Sequence, residues 1–575
     1  MFDFSGLFHY LYDSVASIAG VKDSPPSTSN HSSINNSTSN QIIDLQFLVD
    51  YFTPGPLTAT EVLIAILKSG IYGSVIAIVT WYIWNWSYWI RKGVKGPRGV
   101  PFLGVLDVLM KHEKPGLLKL GEWTKEFGKI YGITDGVHRT LVISDPTMAQ
   151  EIFVRQFENF YGRKLNPLQG NPDTDSRVHL LAAHGHRWKR LRTISAQSFS
   201  QASLRKLMDT VEDSAMELLR HIEERTSGGE QIDMLEFYQE YTMDVISRIA
   251  MGQRGTRMFN NPEIDIVREI FDHTRNPILV ICQVFPILGQ LMRELLMANP
   301  DKAAPFKLLN LMRQRVLKRI EEREQEVQSG GELGEPQDFI DLFLDAKADV
   351  DFDKEAQEEF TKRNMKVIKQ LTQDEVIGQC FLFVIGGFDT TALALSYVTY
   401  LLAMNPEIQK KLQEEVDREF GDAEIEFEKL GRLKYMDKVM KEALRLYPLA
   451  SISNSRKCMK TTSVCGVQIE AGTYVQMDTW TLHQDPEIWG EDAKEFKPER
   501  WDREENLKGA YLPFGLGPRQ CIGMRLAIME QKILLTHILR KYSFERGAKT
   551  AVPLKLVGSA TTSPENVYLH LRSRI

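Results

Sequence analysis

The sequence points to a mainly α-helical protein with small β-sheets, carried behind one N-terminal transmembrane helix. Apolar residues recur at three- and four-residue spacing through most of the chain after about residue 105. Strand-like runs are short: YGITDGV and TLVISD near 131–145, the stretch 464–480, and VYLHLRS at the C-terminus. A 22-residue stretch without charge, 69–90, precedes them. With 43% hydrophobic and 25% charged residues in 575, the chain can bury a large core, which excludes a disordered or collagen-like protein. Its 70 Lys and Arg against 76 Asp and Glu leave a net charge of −6, which gives no electrostatic basis for nucleic-acid binding. One sharp change of composition near residue 100 and no internal repeat divide the chain into attachments and one large domain, 105–575.

Residues 1–60 carry Asp3, Asp13, Asp23, Asp44 and Asp50 against Lys22 alone, around SPPSTSNHSSINNSTSN. Such a segment cannot bury a core, so a disordered, non-cytosolic tail is expected, with glycosylation-type triplets at Asn30, Asn35 and Asn36. It has neither a basic n-region nor a small-residue cleavage site, so no signal peptide is expected. The uncharged stretch 69–90 ends in Trp81, Trp84, Trp86 and Trp89, then Arg91, Lys92, Lys95 and Arg98, the pattern of an anchor whose C-terminal side is cytosolic. A buried core helix is the alternative. Pro97, Pro101 and three glycines make 91–104 a stiff, turned hinge.

Within the domain, 204–226 reads as an amphipathic helix and 325–365 as a solvated connector. Residues 277–297 are interrupted at Pro286; they read either as a segment dipping into the membrane or as a buried helix pair. Five scattered cysteines make no disulfide framework. Thr372 and Glu375 form a capping box opening a helix of about thirty residues that stops at Asn405 and Pro406. Gly386 and Gly387 at its centre should weaken or open it, unless something needs the space. Near the C-terminus, glycines and Pro518 hold an irregular loop that delivers Cys521 just ahead of a helix, where backbone N–H groups favour a thiolate.

Phe514, Gly517, Arg519, Cys521 and Gly523 match FxxGxRxCxG, and by these residues the chain resembles the cytochromes P-450. The resemblance covers about 95–575 and implies the P-450 fold, haem b, and Cys521 as the iron ligand. It extends to Glu442 and Arg445 (ExxR) with Arg500 (KPERW), which implies a structural network behind the haem, with Trp501 replacing the usual Phe. Trp188 and Arg192 (WxxxR), Arg519 and Arg456 are implied propionate partners. Gly386 to Thr391 resembles the distal segment in which Thr390 hydrogen-bonds activated dioxygen and Asp389 helps to relay protons. His184 and His186 lack partner ligands and read as a solvated helix entry.

Phrases such as WKRLR, EALRLYP and PFGLGPRQCIGMRLA look most like the microsomal group that includes family-three enzymes and thromboxane synthase. What this implies is a single-pass protein of the endoplasmic reticulum with a cytosolic catalytic domain, oxidising a xenobiotic, sterol or fatty acid with O2. No nucleotide fingerprint occurs, so electrons are expected from an NADPH-cytochrome reductase, with cytochrome b5 as a further partner, at a basic face near Lys189, Arg190 and the Cys521 loop. By analogy, substrate contacts fall at 160–184, 381–385, 449–452 and 558–560. Two rivals are a haem-thiolate isomerase or dehydratase acting on a lipid peroxide and a non-catalytic membrane haem protein.

Overall fold

The computed structural model describes residues 59–574 apart from 112–113, 166, 272–276, 347–369, 451–452, 503–506, 508 and 559–560. The tail expected at 1–60 therefore lies, up to residue 58, outside the described residues. Two compact units divide the chain, Met1–Trp81 and Tyr82–Ile575. Helix α1 (Ala59–Trp86) contains a 24-residue stretch, Leu63–Trp86, apolar and long enough to cross a membrane. At 1.5 Å per residue that stretch spans about 36 Å. Leu67, Ile71, Ile76 and Trp84 are exposed along it.

The anchor expected at 69–90 is corrected at both ends. Nothing breaks the helix at Lys68, and it ends at Trp86, with a separate turn at Tyr88–Arg91. Trp89 is no interfacial side chain: it is buried, its indole N–H donates to the Ile133 carbonyl at 2.7 Å, and its ring fills the place a Gly132 Cβ would take.

Among the helices that build the domain are α2 (Gly185–Ser195), α3 (Gln201–Thr226), α4 (Met234–Ala250), α5 (Pro277–Val284), α6 (Pro286–Ala298), α7 (Ala304–Gln328), α8 (Phe339–Asp345), α9 (Gln373–Met404), α10 (Lys434–Leu446) and α11 (Met524–Lys541). Strands β1 (Ile130–Asp135) and β2 (His138–Ile143) precede α2 in sequence, and β3 (Ser455–Lys457), β4 (Thr462–Val464), β5 (Val467–Ile469) and β6 (Tyr474–Met477) fall between α10 and α11; these six make two sheets. The larger runs β1-β2-β6-β3, with β2 and β6 parallel and the other pairs antiparallel, and Arg456 opposite Val475.

Helix α9 is the axis of the core. Thr372 Oγ1 accepts from the Glu375 N–H at 3.3 Å and Glu375 Oε2 accepts from the Thr372 N–H at 3.0 Å, so both ends of the capping box close. Apolar on every side, α9 is buried along most of its length, as a helix without a polar face must be. It runs unbroken through Gly386 and Gly387, so the helix does not open there. A Cβ on Gly387 would stand 2.8 Å from Ile246 Cδ1 of α4, so this glycine serves the approach of two helices.

The connector expected at 325–365 is partly helical. Asp338 caps α8 by accepting from the Asp341 N–H at 2.9 Å, and Phe339 and Phe343 pack on Phe383 of α9. Burial of these rings overrides a charge-rich local sequence; residues 347–369 lie outside the described set. Across Pro286, α6 buries Gly289, Arg293 and Leu296 and exposes Ile287, Leu288, Leu291 and Leu295, so a wholly buried helix pair is not what forms.

Candidate functional site

The loop before α11 is fixed by backbone demands. A Cβ on Gly517, at φ +72°, would stand 2.0 Å from the Phe153 carbonyl oxygen, and the Cys521 N–H donates to the Phe514 carbonyl at 2.8 Å. Protein encloses Cys521, yet its side chain keeps open surface. Burial pushes its thiol pKa up. The N–H groups of Gly523 and Met524 and the charges of Arg192 and Arg163 oppose that shift by favouring the thiolate.

Four guanidiniums gather around this loop: Arg163, Arg192, Arg456 and Arg519 lie within electrostatic reach of one another, and burial with mutual repulsion pushes the pKa of Arg456 and Arg519 well down. None of the four pairs with a carboxylate among the described residues. Their hydrogen bonds go to carbonyls: Arg519 to Leu181 at 3.2 Å, Arg456 to Ser455 at 2.8 Å and Leu516 at 3.2 Å, and Arg163 to Arg519 at 3.2 Å. The buried Nε atoms of Arg163, Arg456 and Arg519 have no hydrogen-bond partner in the structure. Trp188, buried on α2, lies under the Arg519 guanidinium at 4.9 Å. Several buried cations with orphaned donors call for an anion, and a thiolate calls for a soft metal. Haem b, with two propionates and an iron, fits this donor set on both counts.

Arg163 falls inside the 160–184 segment expected to meet substrate, and sequence reasoning did not place it with the arginines around Cys521. It stands alone in YGRKL, without a motif, and its partners lie about 290 and 356 residues away.

On α9, Gly386 is exposed within a largely buried helix, and nothing stands within 4 Å of where its Cβ would be. Thr390, one turn on, donates its hydroxyl to the Gly386 carbonyl at 2.8 Å. Asp389 is buried and accepts from Thr561 Oγ1 at 2.9 Å. Burial pushes its pKa up to about 6, with Thr561 and Gln239 opposing. Thr561 and Gln239 carry no motif and were also missed.

Helix α10 brings Glu442 and Arg445 together at full burial. Arg445 donates from Nε to Oε2 at 2.9 Å and from an Nη to Oε1 at 2.8 Å, and its other Nη reaches the His483 and Ala493 carbonyls at 2.7 Å. Arg500 Nε donates to Glu442 Oε1 at 3.1 Å, and Arg500 also meets Asp492 at 2.6 Å. Trp501 adds an indole N–H to Glu442 Oε2 at 3.1 Å, a bond that phenylalanine in its place could not make. Phe514 is half-buried against the main core, and Gly523, just ahead of α11, would touch Phe199 if it carried a Cβ.

Two expectations are corrected. Arg190 does not line a docking face: it is buried and forks onto Glu375 at 2.8 and 2.6 Å, joining α2 to the start of α9. His184 and His186 are partly buried rather than solvated, and burial beside Arg519 and Lys457 lowers His184 to about 4. No group of three metal-ligating side chains is present among the described residues.

Residues 94–571 match the family model described as Cytochrome P450. The chain is 71% identical over 503 residues to the Caenorhabditis elegans protein CYP13A2, which carries a cytochrome P450 name, covering 87% of this chain and 97% of that one. It is 58% identical to CYP13A4 over 505 residues (87% and 97% covered) and 56% identical to CYP13A5 over 517 residues (89% and 99%), both also named as cytochromes P450 in the same nematode.

Proposed function

Because the chain belongs to the cytochrome P450 family, we propose that it is a microsomal haem-thiolate monooxygenase, anchored by α1 in the endoplasmic reticulum, that oxidises a lipophilic substrate with electrons from an NADPH-dependent reductase. Monooxygenase chemistry is what the family indicates. The observation that carries the reading is the thiol loop set among four arginines without a carboxylate.

Bound there, haem supplies the reductive activation of dioxygen and the transfer of one oxygen atom. Cys521 would hold the iron, with the Gly523 and Met524 amides and the charges of Arg163 and Arg192 favouring the thiolate against the burial that raises its pKa. Arg163, Arg192, Arg456 and Arg519 would take the propionates, with the orphaned Nε donors of Arg163, Arg456 and Arg519 filled at the same time. Trp188 and the Arg519 bonds to Leu181 and Ala183 fix the orientation of that guanidinium.

Gly386 leaves room for dioxygen beside Thr390, whose hydroxyl can turn from the Gly386 carbonyl and donate into that space. Asp389, with its pKa near about 6, can hold a proton or release it at working pH, with Thr561 Oγ1 as its neighbour on the relay. Phe381 and Ile385, partly buried on the same helix, offer apolar walls suited to a lipophilic substrate. The exposed apolar face of α6 supports entry of such a substrate from the membrane. With Arg190 committed to Glu375, the reductase face would draw on Lys189 and the exposed Arg525 beside the thiol loop.

The test is the reduced, CO-bound absorption spectrum of the purified protein and of Cys521→Ser. A red-shifted thiolate-type Soret band that disappears in the variant is expected; haem-replete parent protein without that band would overturn the reading. Reductase-driven product formation from a lipophilic panel then separates a monooxygenase from an isomerase, which needs neither O2 nor NADPH.

A further inference from the structure

Where α1 ends, a slot of about 470 Å³ opens between the hinge and β1. Trp86, Trp89, Ile90, Val94 and Phe127 give it apolar walls, and Lys95 and Arg98 are its only charged residues among those described. The hinge can lie against β1 because two glycines meet there. A Cβ on Gly96 would stand 2.0 Å from the Gly132 carbonyl oxygen, and one on Gly132 would enter the Trp89 ring.

The backbone of each cation is held. The Gly132 N–H donates to the Lys95 carbonyl at 2.8 Å, and the Trp86 indole N–H donates to the Arg98 carbonyl at 2.7 Å. Their side chains are exposed and make no ion pair among the described residues, whereas the two preceding cations are committed: Arg91 to the Trp84 carbonyl at 2.6 Å and Lys92 to Glu470 at 2.5 Å. An apolar slot with two uncompensated cations at its rim, beginning at the last residue of a helix long enough to cross a bilayer, matches an anionic amphiphile.

We propose that this slot binds one anionic phospholipid, with the headgroup phosphate between Lys95 and Arg98 and an acyl chain against Trp86, Trp89 and Phe127. The proposal rests on α1 being a membrane anchor, and the lipid so held would fix the hinge against the membrane surface. Recognition of the net headgroup charge by two cations corresponds to a preference of roughly 30-fold for anionic over zwitterionic lipid.

The experiment is native mass spectrometry of the full-length haem-loaded protein released from detergent micelles, titrated with phosphatidic acid or with phosphatidylcholine of the same chains. One retained phosphatidic acid per protein is expected at concentrations where phosphatidylcholine leaves none. That adduct should be lost in Lys95→Gln/Arg98→Gln and kept in Arg257→Gln/Lys318→Gln, which removes two exposed cations elsewhere. Equal retention of both lipids, an adduct indifferent to the Lys95/Arg98 changes, or displacement by millimolar inorganic phosphate would each overturn it. Carbonate extraction of membranes separates the two readings: a chain that is washed off refutes the anchor, and with it the lipid site, whereas a chain that stays but shows no adduct refutes the lipid site alone.

Discussion

Adjacent glycines on α9 should respond to alanine with opposite signs. In a helix interior, Gly→Ala is favourable by about 1 kcal/mol from backbone entropy alone. At Gly386 nothing stands within 4 Å of the added methyl, so the whole gain is realised. At Gly387 the methyl meets Ile246 Cδ1 at 2.8 Å, Cγ1 at 3.0 Å and Cβ at 3.5 Å, so the entire side chain must shift and not only its tip. Overpacking of this kind costs about 1 to 3 kcal/mol, which leaves Gly387→Ala between neutral and about 2 kcal/mol destabilised. The two variants should therefore differ by about 1 to 3 kcal/mol, read as denaturant midpoints of the haem-loaded protein in one detergent. Ile246→Val, which removes Cδ1, should cost less in the Gly387→Ala background than in the parent. Gly386→Ala should meanwhile perturb the haem spectrum or substrate affinity, because its methyl enters the space beside Thr390. Equal stabilities for the two alanine variants, or a valine that brings no relief, would refute the assignment of Gly387 to helix contact and Gly386 to open space.

Other consequences follow from the buried charges. In Glu442→Gln the single amide oxygen can serve only one side of the carboxylate. At best the NH2 then faces Arg445 Nε–H and Trp501 Nε1–H, so two charge-assisted bonds are lost, at a cost of about 3 to 5 kcal/mol. Haem-retaining protein should unfold at visibly lower denaturant, with Trp501→Phe a milder step in the same direction. Arg163→Met should speed haem transfer to an apo-globin acceptor by roughly 10- to 150-fold, the loss of about 1.5 to 3 kcal/mol of charge-assisted bonding, and Arg163→Lys should recover part of it. Burial pushes Asp389 up to about 6, so between about pH 4 and 6 the folded chain binds a proton that the unfolded chain has released. Stability should fall across that window as pH rises, by up to about 3 kcal/mol, and Asp389→Asn should flatten the profile.

Much of the site was legible in the sequence because its chemistry is local. Cys521 depends on glycines and a helix start within a few residues, and the capping box of α9 spans four. Glu442 and Arg445 share a helix face through their spacing alone. Legibility failed where a side chain is defined by what meets it from far along the chain. Arg163 takes its character from residues near 453 and 519 that close over it. Arg190 looked like a surface cation until Glu375, 185 residues away, arrived. Nor does the sequence reveal that the N–H of Trp501, in the place of the usual Phe, points at a buried carboxylate.

The mainly helical domain with small sheets, the irregular loop that carries Cys521 and the long central helix could be read from the sequence alone, because short-range backbone chemistry and apolar periodicity set them. Tertiary structure alone decided where α1 stops, that Trp89 belongs to the domain, that a charge-rich connector contains a buried helix, and which arginines gather without a carboxylate among the described residues. Those outcomes depend on contacts between residues tens to hundreds of positions apart, where burial changes the free energy of a ring or a charge by more than any local preference can.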